Sequence, residues 1–201
     1  MRVGVLASGD GSNLQAILDT VHGRGDVVVV AVGSDKPQAR ALRRAAGAGV
    51  PTRVFEASAY GERSARDAAI ADWLVEREVQ LVVLAGYMQL LDPAFLARFP
   101  QRVVNVHPAL LPAFPGIGSV EQAIAYGVKV AGVTVHFVDE GVDTGAIIAQ
   151  KAIPVPDGAD AEALRRALRL LEHELLPAVV AAIARGGVTV NPDDPRRVRV
   201  T

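Results

Sequence analysis

Apolar residues along this chain come in short runs separated by stretches of helical period. Residues 3–7, 27–32, 52–55, 81–85 and 103–107 form such runs, most of them apolar on both faces, as in parallel strands buried on each side. Between the first two, Leu14, Ile17, Leu18 and Val21 fall at i, i+3, i+4 and i+7, with Ser12 placed to cap the helix they define. Residues 37–49 and 62–78 give two more helices. The order β-α-β-α-β-α-β predicts an α/β sheet with right-handed crossovers.

The second half changes style. Pro108, Pro112 and Pro115 make residues 108–118 too proline-rich for a helix or a central strand and predict a long shaped loop. A short helix near 120–126 follows, then two strands over 132–138 and 146–153, read as an antiparallel pair. A last helix over 160–185 carries a buried stripe of Leu164, Leu168, Leu171 and Leu175; Pro177 is expected to bend it and Gly186-Gly187 to stop it. The expected fold is a mostly parallel twisted sheet of about seven strands flanked by helices, with an antiparallel portion in the C-terminal half. Residues 1–190 read as one domain, with phosphate binding in its first half and catalysis in its second, and residues 191–201 as a loosely held tail.

Composition narrows the function. A net charge of -1 gives no overall field for nucleic acid or an anionic membrane, and Arg196, Arg197 and Arg199 read as a solvated end. The absence of cysteine excludes disulfides, thiolate catalysis and Cys-ligated zinc. Without the apolar stretch of a signal peptide or a run long enough to span a bilayer, the chain reads as cytoplasmic, acting on small molecules as a monomer or homodimer.

Three segments carry chemistry. Ser8-Gly9-Asp10-Gly11-Ser12-Asn13 joins the first strand to the first helix, where glycines let an anion approach the backbone and the helix start offers free N–H groups. It matches neither a P-loop nor a dinucleotide fingerprint, and a plain tight turn fits it equally well. In Asn105-Val106-His107-Pro108, strand geometry puts Asn105 and His107 on one face. An amide beside an imidazole suits stabilisation of an oxyanion formed from a carbonyl. Asp139-Glu140-Gly141-Val142-Asp143-Thr144-Gly145 lacks the spacing of a calcium loop; a carboxylate there near His107 favours the charged imidazolium, while the segment alone reads as an exposed turn. Of the other histidines, His136 reads as structural, and His22 and His173 as surface residues. No His pair has metal-ligand spacing, so no metal is expected.

Taken in order, Gly-Asp-Gly-Ser-Asn-Leu-Gln at 9–15, Leu-Ala-Gly-Tyr-Met at 84–88 and Asn-Val-His-Pro-Ala-Leu-Leu-Pro at 105–112 are followed by Phe-Pro-Gly at 114–116, Gln-Ala at 122–123 and Val-His-Phe-Val-Asp-Glu-Gly-Val-Asp-Thr-Gly at 135–145. Over nearly its full length the chain thereby resembles the phosphoribosylglycinamide formyltransferases, folate-dependent enzymes of purine synthesis. The resemblance implies that Gly11, Ser12 and Asn13 hold the phosphate of glycinamide ribonucleotide, with Glu172 contacting the same substrate. It implies that Arg63, Met88, Gln89, Leu90, Leu91 and Asn105 lie along the site for 10-formyltetrahydrofolate, the co-substrate. Asn105 and His107 then bind the formyl oxygen, and Asp143 keeps His107 protonated and assists proton removal from the amine. Two departures stand out: relatives commonly carry Arg where this chain has Gln89, and a histidine in the segment that here reads Ile117-Gly118-Ser119. Another folate-dependent formyltransferase, a formyltetrahydrofolate hydrolase or a catalytically impaired nucleotide- or folate-binding module are the competing readings.

Overall fold

A computed structural model describes residues 1–201, organised as two compact units, Met1–Asn105 and Val106–Thr201. The first unit is built around β1 (Arg2–Leu6), which pairs in parallel with β2 (Val28–Ser34) on one side and β4 (Leu81–Leu84) on the other. Strand β3 (Thr52–Val54) extends the sheet beyond β2, and β5 (Val103–His107) extends it beyond β4, again in parallel. Val3, Val5, Leu6, Val82, Val83 and Val104 are buried, as the unbroken apolar runs require. Helices α1 (Ser12–Thr20), α2 (Arg40–Gly47), α3 (Arg63–Val75) and α4 (Pro93–Arg98) connect the strands. Helix α4 escaped the apolar periodicity because it is short. Its local signal is Asp92-Pro93: the Asp92 side chain accepts the Ala94 N–H at 2.9 Å, and Pro93 sits where no N–H is needed.

In the second unit α5 (Ser119–Tyr126) precedes β6 (Val130–Phe137) and β7 (Ile147–Pro154), which pair antiparallel as expected. Helix α6 (Ala161–Ala184) is capped by the Asp160 side chain on the Ala163 N–H at 2.6 Å. Its buried stripe runs through Leu164, Leu168 and Leu171, then shifts to Leu176, with Leu175 only half-buried. Pro177 lies within the helix on the buried side, and the helix continues through it to Ala184. Residues 191–201, expected to be a tail, instead supply β9 (Asp194–Val200), which pairs antiparallel with β8 (Val188–Asn191). Alternating Val188 and Val190 face Val198 and Val200 across this hairpin; Pro192 and Pro195 at the turn hid the alternation. The strand order of the main sheet is β3-β2-β1-β4-β5-β6-β7.

Candidate active site

In the first unit the glycine loop runs from β1 into α1. Gly11, not Ser12, is the N-cap: its φ of 74 lies in the left-handed region, and a Cβ on it would stand 2.6 Å from the Ala41 Cα. Only glycine lets the loop lie this close to α2. The Gln15 N–H reaches back to the Gly11 carbonyl at 2.9 Å and closes the first turn of α1. Two arginines of α2 hold the loop from outside. Arg44 donates through Nε to the Asp10 carbonyl at 2.8 Å and through Nη2 to the Asp10 carboxylate at 2.9 Å, while Arg40 pairs with the other carboxylate oxygen at 2.8 Å. Asp10 is thus neutralised with one positive charge in excess beside the helix start, which suits an anion. Sequence reading missed Arg40 and Arg44 because both look like the solvated face of a helix.

The segment after β4 is tied to the same loop by the Ser8 Oγ, which accepts the Met88 N–H at 2.9 Å. Met88 and Leu90 are mostly exposed, and Leu91 is half-buried. Gln89 does not face outward: it accepts from Arg66 Nη1 at 3.0 Å and donates to Asp35 at 3.1 Å. Arg63, at the first position of α3, is exposed.

At the end of β5, Asn105 is half-buried and His107 only 5 % exposed. They are two residues apart on one strand, so their side chains leave the same face. The second unit surrounds His107 with acceptors. Its Nε2 lies 2.8 Å from the Phe114 carbonyl, which can only accept, and its Nδ1 lies 3.2 Å from Asp143 Oδ2. Both ring nitrogens therefore lie against oxygen acceptors, a backbone carbonyl on one side and a carboxylate on the other. Asp143, read from its sequence surroundings as an exposed turn, is 13 % exposed at its side chain and has a left-handed φ of 54. Its Oδ2 also accepts the Gly116 N–H at 2.8 Å, and its Oδ1 faces His136 Nε2 at 3.5 Å. Burial alone raises the Asp143 pKa; the His136 and Gly116 hydrogen bonds and the two imidazoles outweigh it and bring the value from 3.8 down to about 2.

A depressed folded-state pKa means that ionised Asp143 stabilises the fold. That contribution is fully present above the ordinary value of 3.8 and is lost as pH falls through about 2. It amounts to about 2 kcal/mol. The stability gap between the protein and Asp143→Asn, from urea unfolding, is expected to be constant above pH 5 and to shrink by about that amount towards pH 2; a gap that stays constant throughout refutes this assignment.

His136 is placed by the strand that carries it. On β6, Gly132, Thr134 and His136 alternate with Val133, Val135 and Phe137, a polar face inside a buried strand and the one local signal of this support. His136 Nδ1 donates to the Phe137 carbonyl at 2.8 Å, leaving Nε2 to face the carboxylate. Thr134, fully buried, donates to the Ala109 carbonyl at 2.7 Å and accepts from the Leu111 N–H at 3.1 Å and Gln150 Nε2 at 3.0 Å. Gln150 also holds the Leu111 carbonyl at 2.9 Å, so the proline-rich loop is pinned from β6 and β7. Beyond it Gly118, with φ 76, caps α5, where Gln122 donates to the Ile117 carbonyl at 2.9 Å. Glu172 on α6 is half-buried rather than fully exposed. His22 is also not a free surface residue, since its Nδ1 accepts the Val29 N–H at 3.0 Å. No group of three or more His, Cys, Asp or Glu is arranged to hold a metal ion, and no helix is long and apolar enough to cross a membrane.

Known proteins share this sequence and this fold. A family model described as formyl transferase matches residues 1–180. The phosphoribosylglycinamide formyltransferase of Mycobacterium tuberculosis (strain ATCC 25618 / H37Rv) is 50 % identical over 94 % of this chain and 87 % of its own length. The enzyme of that name from Bacillus subtilis is 44 % identical over 88 % of this chain and 91 % of its own. Among solved structures, glycinamide ribonucleotide transformylase 1 from Symbiobacterium toebii superposes with a TM-score of 0.95 at 48 % identity, covering 100 % of this chain and 93 % of that one. A match of this extent in both sequence and fold leaves one conclusion: the chain belongs to the formyl transferase family, among its phosphoribosylglycinamide formyltransferases.

Proposed function

We propose that this protein transfers the formyl group of 10-formyltetrahydrofolate to the amine of glycinamide ribonucleotide, a step of purine synthesis carried out in the cytoplasm. The observation that carries the reading is an imidazole held between a backbone carbonyl and a carboxylate that stays ionised down to about pH 2, two residues from an amide on the same strand. Asn105 and His107 donate to the formyl oxygen as negative charge develops on it. His107 Nε2 is engaged with the Phe114 carbonyl, a neutral acceptor. A developing oxyanion is the stronger acceptor and takes that hydrogen bond over. Phe114 has a left-handed φ of 53, unusual for a non-glycine residue, and this conformation presents its carbonyl to His107.

Asp143 sustains the charged form of His107, and its ionised carboxylate accepts the proton leaving the amine by way of water. The N–H groups at Gly11, Ser12 and Asn13, with the excess charge of Arg40 and Arg44, receive the ribonucleotide phosphate. Glu172 contacts the glycinamide end. Residues 88–91, Arg63 and Asn105 receive the folate; because the Gln89 side chain is committed to Arg66 and Asp35, this residue contributes through its backbone.

The test is an amine screen with 10-formyltetrahydrofolate as donor, following release of tetrahydrofolate. Glycinamide ribonucleotide is expected to be the preferred acceptor. Release at equal rate without any amine would make the protein a hydrolase, and binding of both substrates without product would make it an inactive module; either result refutes the proposal.

A further inference from the structure

The first unit contains a buried ionic cluster that the proposed chemistry does not use. Helix α3 begins on the exposed Arg63 and then turns Arg66 and Asp67 inward, at 2 % and 1 % exposure. The Arg66 guanidinium donates through Nε and Nη2 to a single oxygen of Asp67, at 3.0 and 2.9 Å. Its third donor group, Nη1, reaches the Gln89 side-chain oxygen Oε1 at 3.0 Å, and Gln89 Nε2 in turn donates to Asp35, itself only 8 % exposed. The other oxygen of Asp67 accepts the backbone N–H of Asp92 at 2.8 Å, and the Asp92 carboxylate caps α4. The bonds of Arg66 and Asp35 to Gln89 and of Asp67 to Asp92 tie this pair to the segment linking β4 to α4.

Besides the cluster, the segment is held by Ser8, whose Oγ accepts the Met88 N–H at 2.9 Å and whose N–H bonds the Gly86 carbonyl at 3.0 Å. Met88 is 64 % and Leu90 55 % exposed, so apolar packing does not define its path. Tyr87, which enters it, is buried, and desolvation pushes its phenol pKa far up, with Arg66 pulling part of the way back and Asp67 and Asp35 adding to the rise. A buried ion pair is a weak source of net stability, since well-packed apolar residues of similar volume often do as well. What it provides is geometry. A planar guanidinium shared by a carboxylate and an amide admits one arrangement of all three.

We propose that Arg66, Asp67 and Gln89 form a clasp that holds residues 87–92 in the one shape that receives the formyl donor, with Arg66 and Asp67 acting as positioning residues that never touch the ligand. The functional half of this proposal rests on the placement of the folate along residues 88–91. The structural half stands on the hydrogen bonds alone. Arg66→Lys keeps the charge but removes the planar fork. Gln89→Leu cuts only the link to the segment and leaves the Arg66–Asp67 pair in place, so it serves where a change inside the buried pair prevents folding.

Two readouts separate the halves: amide hydrogen exchange over residues 87–92, and the Michaelis constants for each substrate. Both variants are expected to exchange faster across 87–92 while β1 and β4 stay protected. The KM for 10-formyltetrahydrofolate is expected to rise about ten- to a hundredfold, and that for glycinamide ribonucleotide to stay within about twofold. Unchanged exchange over 87–92 in a folded variant overturns the clasp. Faster exchange with an unmoved donor KM overturns the folate placement and the positioning role with it. An equal rise in both Michaelis constants also overturns it, because it marks general loosening of the fold.

Discussion

Replacing His107 with alanine is expected to lower kcat for formyl transfer by about 100- to 1000-fold, the usual cost of one lost oxyanion donor, near 3 kcal/mol. Asn105→Ala is expected to fall in the same range, and the two together to cost less than the product of the single effects, because both serve one developing charge. The reason lies in the bonding around the ring. His107 Nδ1 faces Asp143 and Nε2 faces a backbone carbonyl, so the ring is fixed between two acceptors before substrate arrives. Asp143→Asn is expected to act on the same quantity from a distance, since an amide can present its N–H rather than an acceptor to His107 and no longer favours the charged ring. Its effect should appear as a changed pH dependence of kcat as well as a reduced rate. Steady-state rates at saturating concentrations of both substrates decide the matter. If His107→Ala and Asp143→Asn, both folded, retain near-original kcat, the chemistry lies elsewhere.

The second large effect is expected at Gly145, where a substitution touches no reacting atom. A Cβ built there would stand 2.8 Å from the carbonyl carbon of Phe137 and overlap its oxygen. Both partners are backbone, so no side chain can swing aside. Phe137 ends β6, and its N–H bonds the Ala146 carbonyl at 2.9 Å where β7 begins. Gly145→Ala must therefore spread the strand ends or displace the 139–145 loop, and either motion carries Asp143 away from His107 and His136. A stability loss of about 1–3 kcal/mol is expected from the overlap, and a fall in kcat of about 100-fold from misplacing the carboxylate by about an ångström. Urea unfolding and kcat read the two separately. A variant as stable and as active as the original would show that the loop closes without this close approach.

Legibility of the site in the sequence followed the range of the interactions. Asn105 and His107 could be paired from their spacing, because a strand's two-residue period is local. Asp143 could not. Its partners Gly116 and His136 are brought to it by a sheet pairing and a proline-rich loop, and its own conformation is a left-handed φ that no motif announces. In isolation its segment reads as a solvated turn, and only the resemblance assigned it a role. The cluster at Arg66 and Asp67 left no mark in the sequence. Charged residues of a helix ordinarily face solvent, whereas these two of α3 are among the most buried polar groups in the chain. Gln89 shows the same limit: its identity could be read as a departure from relatives, but its engagement with Arg66 and Asp35 requires three segments to meet.

The order of strands from β1 to β5, and of the helices α1 to α3 between them, was determined by the sequence itself, since the apolar period within each element depends on neighbours a few residues away. So were the antiparallel pair β6–β7 and the extent of α6. The hairpin that closes the chain was not, because its alternation is interrupted by prolines and only pairing reveals it. Tertiary structure alone decided which polar residues face inward. Burying Asp143, His136, Arg66 or Asp67 is tolerable only when partners distant in sequence satisfy them, and those partners exist only once the chain has folded.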